Sequence, residues 1–263
     1  MIDQLPFKLP AEYGKGVFRR KIRLTRETDF ILGELEDDFH AFKVKVYFDT
    51  MSITAIESEA VRFPLSTCSE ASKPLLQLIG TPLTKSSRLA SVLADPRTNC
   101  THLFDLVGLS VAHTQREEKE RLYEVSVPDV INGKTCLAIC CNGREVLSLE
   151  TEDGVVTQPR FYQGQNIARG FSRWILDNLS GDEQEAALIL HRARFVSLAR
   201  MANLDEVQES NDAPGRALPL GVCYTYSENV FQRAKRNLGS SRDFTGAQEE
   251  LLKFISYNPK SNF

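Results

Sequence analysis

Histidine is scarce in this sequence, with 4 residues among 263, so each one is a candidate for acid–base chemistry. His40 follows three acidic residues in the segment Glu-Asp-Asp-Phe-His at 36–40. Nearby carboxylates favour the protonated form of an imidazole, which can then act as an acid or a base. The competing interpretation is a solvated turn that carries a surface histidine, and the sequence leaves both open.

A second candidate cluster opens the clearest amphipathic helix, with the segment Cys-Thr-His-Leu-Phe-Asp at 100–105. His102 and Asp105 are three residues apart, so they share one face of the helix and Asp105 is expected to orient His102. The alternative is structural. Thr101 would cap the helix, His102 would be a half-buried hydrogen-bonded residue, and Asp105 would offset the helix dipole.

Two arginines are candidates for binding an anion. Arg194 lies in the largely apolar segment 186–198, and a buried guanidinium requires an anion or a dense set of acceptors. That anion is either a carboxylate of this chain or a group on a substrate. Arg242 lies in the segment Gly-Ser-Ser-Arg-Asp-Phe-Thr at 239–245, which is either a turn with a helix cap or a loop that reaches a cleft.

The recognised cofactor motifs are missing. The sequence has no phosphate-binding G-x-x-x-x-G-K-[ST] or G-x-G-x-x-G loop, no G-x-S-x-G and no H-E-x-x-H. Three of the six cysteines form Cys-x-x-x-Cys-Cys at 136–141, without a second half to complete a zinc cage. We therefore expect no cofactor and no bound metal.

The composition is that of an ordinary globular protein. Hydrophobic residues are 42% and charged residues 25% of the chain, and the formal net charge of −3 favours neither nucleic acid nor an anionic membrane as a partner. No apolar run is long enough to span a bilayer, and residues 1–10 do not resemble a signal peptide. We expect a cytoplasmic protein with reduced thiols.

The elements that must position these residues are mixed. Alternating segments at 21–25, 42–48 and 122–127 and a short apolar segment at 135–141 predict antiparallel strands, and Asn142-Gly143 predicts a tight hairpin turn. Helical patterns fall at 69–119, 166–204 and 243–257, and a further strand is predicted at 220–226. The fold class is α+β, antiparallel sheets with packed helices. The chain is either two lobes, 1–117 and 118–263, or one continuous domain.

Several segments together resemble a known family. These are Glu-Asp-Asp-Phe-His at 36–40, Arg-Phe-Pro-Leu-Ser-Thr-Cys at 62–68 and Cys-Thr-His-Leu at 100–103. Over about 19–112 the chain resembles the bacterial domain-of-unknown-function family numbered 2889. The resemblance implies a bacterial cytoplasmic protein, often encoded beside genes for the breakdown of aromatic compounds. Its polar positions here are His40, Arg62, Cys68, Cys100, His102 and Asp105.

The leading hypothesis is a cofactor-independent enzyme, a lyase or a hydrolase, acting on an aromatic or other hydrophobic small molecule. His40 or His102 would be the base, Asp105 the orienting carboxylate, and the substrate would contact Arg62, Cys68, Arg194 or Arg242. His40, Cys68 and His102 should line one cavity.

Two alternatives remain open. One is a metalloprotein in which His40, Cys68, Cys100 and His102 form a Cys2His2 set. The other is a non-catalytic ligand-binding or scaffolding module. The expected assembly is a homodimer or a complex with a co-encoded enzyme.

Overall fold

One eight-stranded antiparallel sheet dominates the computed structural model, which describes residues 9–88, 95, 98–205 and 220–254. The order of strands across the sheet is β4-β3-β2-β1-β5-β6-β7-β8. The strands are β1 Val17–Arg26, β2 Phe30–Asp37, β3 Ala41–Phe48, β4 Ile53–Arg62, β5 Glu120–Pro128, β6 Lys134–Cys141, β7 Arg144–Glu152 and β8 Val155–Gln158.

Each half of the sheet is a four-stranded meander followed by a helix. β1 pairs with β5 in the middle of the sheet, so the segments 1–117 and 118–263 contribute to one continuous sheet. The helix Thr101–His113 packs on β1, β2 and β3, and the helix Gly181–Ser197 packs on β5, β6 and β7. The helices are α1 Thr101–His113, α2 Phe171–Asn178, α3 Gly181–Ser197 and the short α4 Glu228–Phe231, with a long 3₁₀ segment at Ser66–Leu78.

Alternation explains which face of the sheet is buried. In β1, Phe18, Ile22 and Leu24 point to the helix-covered face together with the buried Arg20, and the residues that alternate with these four are more exposed. Helix α1 is buried on nearly all sides, because the sheet covers one face and neighbouring segments cover the others. The first turn of α1 therefore lies beside the inner face of β2 and β3.

The predicted hairpin turn at Asn142-Gly143 is confirmed. Both residues have positive φ, 50° and 76°, as a two-residue turn of this type requires. The α+β class with antiparallel strands is also confirmed. In the described part of the chain, no helix is long and apolar enough to cross a membrane.

Two predictions near the C-terminus are wrong. Residues 220–226 form a turn and the 3₁₀ helix Tyr224–Tyr226 rather than a strand, and no strand pairs with them in the described part of the chain. The helix predicted at 243–257 is reduced to the 3₁₀ turn Gln248–Glu250 in its described portion, and 255–257 lie outside the described residues. In both segments the tertiary context overrode the local pattern, which is only a weak indication of a regular element.

Candidate acid–base site

The hairpin turn between β2 and β3 carries the first candidate residue. The backbone N–H of Asp37 donates to the carbonyl oxygen of His40 at 2.8 Å, which closes the turn. Asp37 Oδ1 accepts the backbone N–H groups of Phe39 and His40, both at 2.8 Å. Aspartate stabilises such turns because its short side chain reaches the backbone two and three residues ahead. The same carboxylate is thereby held beside the His40 ring.

Asp37 connects His40 to a buried cation. Its Oδ1 lies 3.1 Å from His40 Nδ1, and its Oδ2 accepts Nε and Nη2 of Arg20 at 3.0 and 2.6 Å. Asp37 and Arg20 are both almost completely buried. Burial would raise the pKa of Asp37, but Arg20 and then His40 hold that pKa well below its usual value. Asp37 is therefore ionised near neutral pH.

His102 lies in the first turn of α1 and stacks on His40. The two ring centroids are 3.9 Å apart and the planes differ by 29°. Phe42 of β3 lies near both rings, with centroid distances of 5.9 Å to His40 and 6.0 Å to His102. The predicted proximity of His40 and His102 is confirmed, because β3 and the start of α1 pack together.

The surroundings of the two imidazoles differ. Burial, then His40 and Arg20, lower the pKa of His102 well below its usual value. His102 Nε2 is buried and has no hydrogen-bond partner among the described residues. If Asp37 accepts a hydrogen bond from His40 Nδ1–H, the opposite nitrogen of His40 is left as an acceptor.

Three arginines hold the turn at 37–40 in place. Arg20 binds Asp37, as described above. Arg62, the last residue of β4, donates to the carbonyls of Asp37, Asp38 and His40 and to the Glu36 carboxylate. Arg200 binds the buried Asp38 at 2.7 Å. Burial raises the pKa of Asp38 to about 7, although Arg200 acts to lower it. The turn is therefore rigid before any ligand binds.

The other predicted site residues bind groups other than the two imidazole rings. Asp105 does not orient His102, and instead its Oδ2 accepts Arg192 Nε at 2.9 Å. The guanidinium of Arg62 supports the turn through the hydrogen bonds given above. That of Arg242 donates to the carbonyls of Gly239 and Ser241. The nearest polar partner of Arg194 is Ser197 Oγ, at 3.2 Å.

The hydrogen-bond partner of the Cys68 thiol is a threonine rather than either histidine. The thiol accepts the hydroxyl of Thr225 at 3.5 Å. Burial raises the pKa of Cys68 to about 11, and burial likewise raises the pKa of Cys100. Both thiols are therefore protonated near neutral pH and are poor nucleophiles. Their chemistry is not that of an activated cysteine.

One group of described side chains has metal-ligand geometry. Donor atoms of Asp37, His40 and His102 all lie within 4.8 Å of one another. Cys68 and Cys100 are not in this group, so the described residues do not form the Cys2His2 set that the sequence suggested. Both oxygens of Asp37 already accept hydrogen bonds, three at Oδ1 and two at Oδ2. A metal would have to displace some of these donors.

Two surface cavities lie away from the histidine pair. The first, of about 420 Å³, is lined by Lys73, Pro74, Gln77, Thr98, Tyr224 and Ser227. The second, of about 500 Å³, lies between the end of α1 and the start of α3, and its wall includes Arg116, Arg121 and Asp182. Neither contains His40 or His102. The His40 side chain is 13% exposed, so solvent reaches the pair from the side of the turn.

Residues 24–116 match the model of a protein family described as "Protein of unknown function (DUF2889)". The family resemblance inferred from the sequence is thus confirmed over this segment. The matched segment contains the turn at 37–40, the end of β4 and the first turn of α1, all of which contribute to the candidate acid–base site. A search of curated proteins finds no match to the chain.

Two important residues of the site were missed from the sequence. Asp37 is spaced three residues before His40, and Asp-x-x-His at a strand-to-strand reversal is the local signal for an Asp-stabilised turn. Arg20 has no such signal. It appears as one basic residue among several in β1, and its pairing with Asp37 becomes visible when the register of β1 and β2 places the two opposite each other.

Proposed function

We propose that this protein is a cofactor-independent enzyme that breaks a bond in an aromatic or other hydrophobic small molecule by acid–base catalysis, as a lyase. The observation that supports the proposal is the contact of two imidazoles at 3.9 Å, one of them bound to a buried, ionised carboxylate. A base and an acid within one ligand's reach are what such a cleavage requires.

The two histidines would act in different ways. His40, whose Nδ1 is bound by Asp37, would remove a proton from a substrate hydroxyl. The electron pair left on that oxygen would form a carbonyl as the adjacent carbon–carbon or carbon–oxygen bond breaks. His102, which is neutral, would hydrogen-bond through Nε2 to the atom that receives the electrons, and the proton held by His40 would then be returned to that leaving atom.

The surroundings of the pair favour a hydrophobic substrate. Phe18, Phe39 and Phe42 are buried next to the turn, with Phe18 and Phe39 rings 6.3 Å apart. An apolar environment strengthens hydrogen bonds to a developing charge. These apolar surroundings favour a hydrophobic substrate over a strongly hydrated one.

Turnover by purified protein tests the proposal. Aromatic dimers joined by carbon–carbon or carbon–oxygen bonds, and aromatic acyl esters, would be incubated with the protein and the products identified by mass spectrometry. His40→Gln and His102→Gln should each lower the rate by about 100-fold or more, the usual contribution of a general acid or base.

His191→Gln is the matched control. His191 lies in α3, where its Nε2 is 3.1 Å from the carbonyl oxygen of Ile167, and it contacts neither His40 nor His102 through a ring. Its substitution should change the rate by less than about twofold, because His191 plays no part in the proposed chemistry. Full activity in the His102 variant would remove that residue from the site.

A metal-binding function is the second candidate, favoured by the 4.8 Å convergence of Asp37, His40 and His102. Elemental analysis of protein purified without added metal distinguishes the two. Less than about a tenth of an equivalent of zinc or iron would rule out a tightly bound ion. About one equivalent, lost together with activity in the His102→Gln variant, would replace the acid–base proposal.

We further propose that the enzyme works in the bacterial cytoplasm, in the breakdown of aromatic compounds, as a homodimer. All six cysteines are free thiols, which fits a reducing compartment. Size-exclusion chromatography with light scattering tests the assembly, and a monomer at micromolar concentration would contradict it.

A further inference from the structure

We propose that Arg192 binds a carboxylate of the substrate, so that the histidine site takes aromatic acids rather than neutral aromatic compounds. This inference rests on the proposed function, because it assumes that His40 and His102 form the reacting site. It assigns to Asp105 the part of a positioning residue for Arg192, in place of the expected contact with His102.

The proposal is based on the position of Arg192 beside the helix that contains His102. Arg192 is in α3 and Asp105 is in α1, and their side chains meet with a distance of 2.9 Å between Nε and Oδ2. Asp105 is three residues after His102, so it lies one turn further along the same face of α1. The pair between Asp105 and Arg192 therefore places a guanidinium beside the turn of helix that carries His102.

The hydrogen bonding of Arg192 leaves donors available. Asp105 occupies Nε, and the two terminal nitrogens form no hydrogen bond with any residue in the described ranges. The Arg192 side chain is 38% exposed, so a ligand can reach it. A guanidinium held at Nε can still bind a carboxylate end-on through its two terminal nitrogens, which form a planar fork.

The other guanidiniums around the histidines are already used. Arg20 donates to Asp37 at both Nε and Nη2 and is 2% exposed. Arg62 distributes its terminal nitrogens over backbone carbonyls and Glu36. Arg192 thus differs from both in having terminal nitrogens that are unbonded within the described residues and in being accessible.

The local charge also favours an anionic ligand. Arg192 is close enough to His102 to contribute to the lowering of its pKa, after burial, His40 and Arg20. The neighbouring thiols of Cys100 and Cys223 do not compete as anions, because burial raises the pKa of each. A substrate carboxylate would therefore meet a cation whose ion-pair partner among the described residues, Asp105, lies on the Nε side.

Histidine NMR tests the inference directly. The chain has 4 histidines, so selective ¹³C labelling of the Cε1 position yields four resolvable ring signals. The probes are three matched pairs: benzoate and benzamide, phenylacetate and phenylacetamide, and cinnamate and cinnamamide. In each pair the two molecules share a ring and shape and differ in charge.

In the wild-type protein, at least one carboxylate should shift the His102 signal at millimolar concentration and bind about tenfold more tightly than its amide. The signal of His113 should not move. Arg192→Gln should reduce the preference for the carboxylate to within about twofold. Arg192→Lys keeps the positive charge but lacks the planar pair of terminal nitrogens, so it should retain part of the preference for the carboxylate. This second variant keeps the test informative if Arg192→Gln does not fold.

Arg173→Gln is the matched control. Arg173 pairs with Asp177 through the same two atom types, Nε and Oδ2, at 2.8 Å, but the pair lies within α2 and is more exposed. This variant should keep the full preference for the carboxylate. The inference is overturned if no carboxylate shifts the His102 signal, if the amides bind as tightly, or if Arg192→Gln retains the tenfold preference.

The two proposals fail in different ways. If carboxylate binding depends on Arg192 but turnover survives His40→Gln and His102→Gln, the acid–base function is wrong and the anion site stands. If turnover requires both histidines but Arg192→Gln leaves the preference between acid and amide unchanged, the function stands and the assignment of Arg192 is wrong.

Discussion

The buried pair of Arg20 and Asp37 should be the most sensitive point of the site. The substitution Asp37→Asn keeps an oxygen that can accept the backbone N–H groups of Phe39 and His40, so the turn can still form. It removes the negative charge and can place an amide N–H₂ group against Arg20, which is 2% exposed. Removing one partner of a buried ion pair costs about 3–5 kcal/mol, because the other charge is left unpaired.

Asp105→Asn supplies the matched comparison. It makes the same chemical change in a pair with Arg192, in which the side chains are 39% and 38% exposed. Pairs accessible to solvent contribute about 0–1 kcal/mol, because water screens both charges. The free energy of unfolding should therefore fall by about 3–5 kcal/mol in one variant and by less than about 1 kcal/mol in the other.

Urea unfolding followed by fluorescence of the single tryptophan, Trp174, measures both values, with circular dichroism as a second probe. The effect of pH has a defined sign. The pKa of Asp37 is held below its unfolded value of about 3.9, so its charge contributes stability above that pH, and the contribution is lost as the pH falls through the folded pKa. The gap between wild type and Asp37→Asn should thus be full at pH 7 and shrink below about pH 4.

The reasoning is refuted if Asp37→Asn lies within about 1 kcal/mol of wild type at pH 7, or if Asp105→Asn is equally destabilising. A gap that persists unchanged down to low pH would show that the cost comes from packing rather than from charge.

Two further predictions concern the turn and the thiols. Gly143→Ala should lower the free energy of unfolding by about 1–2 kcal/mol, because φ is 76° at this position. Gly246→Ala is the control, since φ is ordinary there and no atom lies within reach of an added Cβ. It should change the free energy of unfolding by less than about 0.5 kcal/mol in the same urea assay. With iodoacetamide at pH 8, the exposed Cys136 should be alkylated first and the buried Cys100 last. Cys68 should also react slowly, because burial raises its pKa to about 11. Rapid labelling of Cys68, measured by peptide mass spectrometry, would contradict this prediction.

The strands that alternate most clearly could be located without the structure. The segments at 42–48 and 122–127 became β3 and β5, because a half-buried strand imposes a period of two that is visible locally. The turn at Asn142-Gly143 was equally local, since asparagine and glycine tolerate positive φ. The segment at 220–226 is also rich in β-prone residues, but no strand pairs with it in the described part of the chain, and composition does not report that.

The sequence by itself determined which residue types were available for chemistry. It drew attention to His40 and His102, to the helix that starts near Thr101, and to a family that the match over 24–116 then supported. These inferences succeeded because they depend on residue type and on spacing within one element.

The tertiary structure decided which residues are partners. The carboxylate beside His40 is that of Asp37, whereas Asp105 pairs with Arg192. Arg62 donates hydrogen bonds that hold the turn. His40 and His102 are 62 positions apart in the sequence and touch because β3 and α1 pack face to face. Ion pairs and ring contacts depend on distances of a few ångströms between remote segments, and one sequence contains no measure of those distances.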